Sequence, residues 1–256
     1  MLRAVKLLPN HRAHDARHLI QRWRVLARET GCKMTELCRV EGLPVIAVES
    51  AAAREGAPAV YLSSGVHGDE PGAAWGLLAW AEKHARELKR GSFLIAPCLN
   101  PIGLTLNTRA DHRGIDINRR FHDAEDVICG PWQRWITGKA MHVGLCLHED
   151  YDAQGIYLYE LNHGRWTAGH GIIHGCSRVI APDPRKNIDG QRAIGGVIRR
   201  RTLPKHLPGM PEAIELHMRG CPVTLTFETP SEFALDTRAK AQVSFIEVAL
   251  EAFARP

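Results

Sequence analysis

The stretch from Ala59 to Ala81 limits what this chain can fold into more than any other part of it. Ala59-Val60-Tyr61-Leu62 is a short apolar run of the kind that fills a buried strand. Ala73 to Ala81 is almost wholly apolar too, and Pro71 stands just ahead of it, where the first turn of a helix tolerates a missing N–H. Between them, Ser63-Ser64-Gly65-Val66-His67-Gly68-Asp69-Glu70 reads as a strand-to-helix turn. Such turns lie at the carboxyl edge of a sheet, where α/β folds place their sites. This one carries an imidazole and a carboxylate, His67 and Glu70, close enough together to reach a single ion. Zinc accepts both ligand types and, in catalytic sites, keeps a position for water. Taken alone, a His-x-x-Glu pair is more often a cap or a surface feature. Its weight depends on what the rest of the chain adds.

Length bounds the architecture. The 256 residues, 45% hydrophobic and 24% charged, suffice for one large domain with a substantial core. The expectation is a single catalytic domain over 1–256, with a helix and a hairpin in the first 50 residues as part of it. The net charge of +5 is modest, and its densest cluster is Arg199-Arg200-Arg201 with Lys205 nearby. That cluster reads as a solvated basic edge, or as the mouth of a site for an anionic substrate, before it reads as a nucleic-acid footprint. Seven cysteines, an odd number with no Cys-x-x-Cys spacing, argue against a disulfide framework. The N-terminal residues lack the apolar core of a signal peptide, and no segment is long and apolar enough to span a bilayer. A cytoplasmic protein with neither nucleic-acid nor membrane partners is therefore expected, its oligomeric state left open.

Along the chain, strand and helix patterns alternate. Leu2 to Pro9 reads as a short edge strand or arm, Asp15 to Arg28 as a helix stopped by Gly31, and Met34–Val40 with Leu43–Glu49 as a hairpin at a sheet edge. Ser92–Leu99 reads as a buried strand leading into a long polar loop, Ile102 to Phe121, and loops of that length usually carry function. A helix over Trp132–Lys139 precedes a strand over Ala140–Leu147 that delivers His148-Glu149-Asp150 at its end. Ile156–Leu161 is a further strand, and Trp166–Cys176 a helix. Pro182–Pro211 has no clear assignment. Val223–Phe227 is a strand ending at Glu228, and Asp236–Phe253 a closing helix. The fold class is α/β: a mixed, mostly parallel twisted sheet flanked by helices.

Four polar sets now fall at the ends of separate strands: His67 with Glu70, the loop holding Arg109 and Asn118-Arg119, His148, and Glu228. In this order they resemble the zinc carboxypeptidase (funnelin) family, and the loop Thr108–Arg119 looks most like its murein peptide amidase branch. The related succinylglutamate desuccinylase and aspartoacylase branch shares the metal triad and the Asn-Arg pair. The resemblance spans roughly Ala59 to Arg238 and implies a phosphorylase/hydrolase-like fold. It also implies one zinc ion held by His67, Glu70 and His148, with Glu228 as general base and Arg109 stabilising the oxyanion. Asn118 and Arg119 would hold a substrate carboxylate. The implied reaction is hydrolysis of an amide beside a free carboxylate in a small peptide or peptide-like molecule.

Each residue also has a plainer reading. His148 could be a buried, hydrogen-bonded bystander among 14 histidines. Arg109 and Arg119 could pair with Asp111 and Asp116, and Glu228 could cap the turn at Thr229-Pro230-Ser231. Glu149 and Asp150 read as residues that orient loops or ligands. Two rival functions follow: deacylation of an N-acyl amino acid by the same metal chemistry, and a non-enzymatic protein on this fold that binds acidic peptides through Arg119. One departure from the carboxypeptidase pattern is clear. The family's lid tyrosine has no counterpart, because no tyrosine follows Tyr159; His206 and His217 occupy that region, while Tyr157 and Tyr159 read as strand residues.

Overall fold

The computed structural model describes residues 12–164, 167–203 and 208–254. The edge strand expected over Leu2–Pro9, the first residue of the helix expected from Trp166, Lys205 and His206 lie outside the described residues. The chain opens with α1 (Ala16–Thr30), where the Asp15 side chain accepts the His18 amide and Gly31, in the left-handed region, ends the helix. Strands β1 (Lys33–Val40) and β2 (Leu43–Glu49) pair antiparallel. Their two-residue turn, Glu41-Gly42, has both φ angles positive, which matches the twist of a tight hairpin.

After a short helix α2 (Ala51–Arg54) come β3 (Ala59–Ser63), α3 (Pro71–Lys83), α4 (Ala85–Arg90) and β4 (Phe93–Ala96). The expected long loop then proves partly helical. Asn100 caps α5 (Pro101–Leu106) by accepting the Gly103 amide at 2.8 Å, and Ile117–Arg119 form a 3-10 turn capped by Asp116. Next are α6 (Cys129–Ile136), β5 (Met141–Asp150), β6 (Tyr157–Asn162) and α7 (Gly169–Cys176). Strand β5 runs through His148, Glu149 and Asp150, which the sequence placed just beyond its end. The unassigned Pro182–Pro211 stretch holds a small hairpin, β7 (Asn187–Ile188) and β8 (Gln191–Arg192), turning at Asp189-Gly190, and then β9 (Val197–Arg200). A short helix that the pattern missed, α8 (Glu212–Met218), precedes β10 (Val223–Pro230) and the final α9 (Leu235–Phe253).

Eight strands form one sheet in the order β1-β2-β4-β3-β5-β10-β6-β9. Its centre, β4, β3, β5 and β10, is parallel, while β1, β2 and β6 enter antiparallel to a neighbour. The mixed, mostly parallel sheet read from the sequence is the one observed. From β3 the chain crosses to β4 on one side and then to β5 on the other, so a topological switch point opens between the carboxyl ends of β3 and β5.

Alternation along β3 divides the core. Val60 and Leu62 pack with α1, α3, α7 and α9 on one face, while Ala59 and Tyr61 pack with Trp132, Trp135 and Leu216 from α6 and α8 on the other. Helix α3 is buried at every position from Pro71 to Ala81, since the sheet lies on one side and α9 and α1 on the other. Small residues permit this approach: a Cβ on Gly76 would stand 2.5 Å from Cβ of Gln242 in α9.

The turn between β3 and α3 is pressed against the loop opposite. The Gly68 amide donates to the Thr108 carbonyl at 3.0 Å, and a Cβ on Gly68 would fall 1.8 Å from the Gly103 carbonyl carbon. Both partners are backbone, so neither can yield. Gly68→Ala is expected to destabilise the fold by at least ~2 kcal/mol in urea unfolding. Gly171→Ala, in α7 with open space around its Cβ, should instead gain up to ~1 kcal/mol. Equal effects of the two substitutions would refute the crossing as the cause.

Candidate metal centre

The turn after β3 and the end of β5 converge at the switch point. His67, Glu70 and His148 are 3%, 3% and 2% exposed, and one ligand atom from each lies within 4.8 Å of the others. Nδ1 of His67 is 2.5 Å from one Glu70 oxygen, and Nδ1 of His148 is 2.9 Å from the other. Burial alone would raise the Glu70 carboxyl; the two imidazoles outweigh it and hold the group down at about 2. Burial disfavours the His67 imidazolium, yet Glu70, together with a hydrogen bond to Asp116, raises it to about 9. His148 is raised in the same way by Glu70 against its own burial.

The triad is thus a buried carboxylate flanked by two imidazoles. Two nitrogens and a carboxylate converging from three buried side chains fit one divalent ion such as zinc.

Around the triad, Asp116 gathers the loop. Its Oδ1 is 3.2 Å from Nε2 of His67 and accepts the Asn118 amide at 2.9 Å, while Oδ2 accepts Nε and Nη2 of Arg109 at 3.2 and 3.1 Å. These charges lower the Asp116 carboxyl despite its partial burial. A carboxylate on the far nitrogen of a ligating histidine fixes its tautomer and ring orientation. Asp116 was read from the sequence only as a pairing partner for arginine. Its place two residues before Asn118, in a loop facing His67, is the signal that could have marked it. Arg109 lies 48% exposed, with Nη1 3.8 Å from Glu70. Asp111, the other expected partner, instead binds Arg113, which also reaches Asp126.

Asn118 and Arg119 are held from a different direction. The Asn118 side-chain oxygen accepts the Glu212 amide at the start of α8, at 2.9 Å, and the Met210 amide donates to the Arg119 carbonyl. The Arg119 side chain is 37% exposed, with Nη1 3.9 Å from Asp116. Glu212 itself is buried and accepts the Tyr61 hydroxyl at 2.5 Å and the Ser63 hydroxyl at 2.8 Å. Its carboxyl is pushed up by burial.

Glu228 stands beside His148 in register on the neighbouring strand. It is half-buried, and its carboxyl is raised well above the ordinary range. Burial is the main cause, the negative charges of Glu70 and Asp150 reinforcing it against the pull of His148. Glu149 points to the other side. It accepts the Gly72 amide at 2.8 Å and Nη1 of Arg238 at 2.7 Å, tying β5 to α3 and α9; burial still raises it to about 7. Asp150 accepts the Tyr157 hydroxyl at 2.9 Å. His217 is not near Glu228: it contacts His163 at 3.0 Å, at the opposite end of β10. It cannot take the place of the lid tyrosine.

With this geometry in view, two comparisons bear on the chain. A profile of the succinylglutamate desuccinylase/aspartoacylase catalytic domain matches residues 56–128, which hold His67, Glu70, Arg109, Asn118 and Arg119. Over these residues the resemblance to the desuccinylase and aspartoacylase branch read from the sequence is borne out. The solved structures extend it as a fold to the whole chain. A candidate metallopeptidase from Shewanella amazonensis superposes with a TM-score of 0.82 at 19% identity, covering 94% of each chain. A metallo-carboxypeptidase from Burkholderia cenocepacia gives 0.65 at 18% identity, covering 93% of this chain and 69% of its own. A Pseudomonas aeruginosa metallo-carboxypeptidase, solved with (2-guanidinoethylmercapto)succinic acid, gives 0.60 at 15% identity over 92% of this chain and 69% of its own. No curated protein matches significantly. Among the described residues, no helix is long and apolar enough to cross a membrane.

The triad's protonation sets a pH dependence. A metal ion must displace the His67 proton at any pH below about 9, whereas Glu70 is ionised throughout. Affinity for Zn2+ should therefore rise from pH 6 to 9, by up to about tenfold per unit for each proton displaced. In metal-free protein the His67–Glu70 pair acts in the opposite sense. Its contribution through His67 is complete below the unfolded value near 6.5 and is lost as pH rises through about 9. Calorimetry in buffers of different ionisation enthalpy would count the released protons. A pH-independent affinity, or full occupancy in His148→Ala, would dismantle the triad.

Proposed function

We propose that this protein is a zinc-dependent hydrolase of the metallocarboxypeptidase type, cleaving an amide bond next to a free carboxylate in a peptide or peptide-like molecule. The observation that carries the reading is the pairing of Glu228 with His148 on adjacent parallel strands, at the carboxyl end of the sheet. A carboxyl group stands there beside three side chains that together suit one cation. Zinc held by His67, Glu70 and His148 would supply Lewis acidity and a water of lowered pKa.

The chain's own groups complete the chemistry. Glu228 accepts the proton of the attacking water and gives it to the leaving nitrogen. Burial raises its affinity for a proton, which suits a carboxylate that must take one from water. Arg109, half-exposed and oriented by Asp116, presents a cation toward the triad, where negative charge develops on the scissile carbonyl oxygen. Arg119 offers a guanidinium fork to the substrate carboxylate. Because the Asn118 oxygen is engaged by Glu212, its amide nitrogen is the atom left to assist. The succinic acid derivative held by the Pseudomonas aeruginosa metallo-carboxypeptidase accords with a small carboxylate ligand here.

A second reading, deacylation of an N-acyl amino acid, is supported by the desuccinylase/aspartoacylase match over residues 56–128. Two substrate pools separate them: peptides with free C-termini, cell-wall peptides among them, and N-acyl amino acids, each analysed by mass spectrometry. Cleavage confined to the peptide pool is expected, and cleavage confined to the acyl pool would move the protein to the second reading. Glu228→Gln should retain metal and lose at least ~100-fold in turnover; undiminished turnover would remove Glu228 from the mechanism.

A further inference from the structure

The face of the sheet that carries Glu228 continues away from the metal triad. By register, Glu228 and Thr226 of β10 lie beside Tyr157 and Tyr159 of β6, and Tyr159 lies beside Ile198 of β9, two residues from Arg200. On the opposite face of these strands Leu225, Phe227 and Leu158 are completely buried. On this face Glu228, Thr226, Tyr159 and Arg200 all stay half-buried. Helix α8 covers β10 and β5 on one side of the strip. Ile188 and Ala193, from the β7–β8 hairpin and the residue after it, pack on Tyr157, Tyr159 and Ile198 on the other. The half-buried strip runs from Glu228 to Arg200.

Arg200 closes it in an unusual state. Its guanidinium carbon lies 5.7 Å from the Tyr159 ring centroid, a cation–π contact, and its Nε is buried with no hydrogen-bond partner. Arg120, Arg199 and Arg238 also leave Nε unpartnered, but each satisfies another guanidinium nitrogen, on Asp123, the Gly164 carbonyl and Glu149 respectively. Among the described residues no acceptor or carboxylate reaches the Arg200 guanidinium. Asp189, which meets the same tyrosine, accepts the Tyr159 hydroxyl at 2.6 Å. A preoriented, partly desolvated cation without an anion is a binding group awaiting one.

We infer that Arg200 is a specificity-determining residue that binds a second carboxylate of the substrate, so that the preferred terminal residue has an acidic side chain. This rests on the reading that Arg119 holds the terminal carboxylate. Arg119 is pinned by Met210, which leads into α8, the helix flanking the same strip. On that reading, a terminal residue anchored at Arg119 would send its side chain along the strip toward Tyr159 and Arg200. Thr226 and the Tyr159 ring line the way.

The test is equilibrium binding of L-glutamate and of its neutral isostere L-glutamine to the full chain by calorimetry. Neither ligand contains a cleavable terminal amide, so binding is read without turnover. Wild type should prefer glutamate by about tenfold or more, the scale of a hydrogen bond to a charged group. Arg200→Met, which keeps the stem packed on Tyr159, should abolish the preference while leaving glutamine binding unchanged; Arg200→Lys should restore part of it. Equal affinities in wild type, or a preference that survives in Arg200→Met, overturns the subsite. A protein that cleaves peptides without this discrimination loses the subsite and keeps the proposed function. One that discriminates without cleaving loses the function and keeps the subsite.

Discussion

A carboxylate buried at 3% exposure cannot stay charged without nearby positive charge, and Glu70 is the group on which this site depends. It sits between two imidazoles at the switch point between the carboxyl ends of β3 and β5. Everything around it keeps that arrangement affordable. Asp116 holds the second nitrogen of His67 and thereby orients the ring. The main chain beside it is fixed by backbone contact, through Gly68 against Gly103, and not by adaptable side chains.

The support beneath the site is of the same kind. Helix α3 carries Glu70 at its N-cap and is buried all round, so it has no freedom to tilt. Glu149 binds its second residue, Gly72, and also Arg238 of α9, while Gln242 of α9 donates to the His148 carbonyl and packs against Gly76. One closing helix thus grips both α3, which follows Glu70, and β5, which bears His148. The other half, Asn118 with Arg119, hangs from α8, whose Glu212 is fixed in the core by Tyr61 and Ser63. The His67-Glu70-His148 triad and the Asn118-Arg119 pair are thus supported from opposite faces of the sheet.

What the sequence made legible follows from how local each signal is. The turn at His67, the Glu41-Gly42 hairpin and the strand under His148 are written in contiguous residues, and all appear, the strand running on to Asp150. Helix α8 did not announce itself because seven residues give barely two turns of periodicity. The Asp189-Gly190 turn was visible in principle as an Asp-Gly hairpin signal, but its strands are two residues each, too short to alternate. Arg113 shows the limit on loop chemistry: which of several nearby acids an arginine takes depends on the fold of the loop, and here Asp111 and Asp126 share it. Thr226, Tyr159 and Arg200 come together only through strand register, which no linear pattern contains.

The ligands' spacing along the chain has a kinetic consequence. Glu70 and His148 are separated by 78 residues, and β5, which bears His148, is enclosed between β3 and β10. The three side chains of the triad therefore meet only when most of the parallel sheet is already assembled, after the costly loop closures have been made. A metal that binds this late adds little to the transition state for folding and much to the native state. Its stabilisation should be expressed almost wholly as slower unfolding, so the loaded protein would gain lifetime without folding any faster.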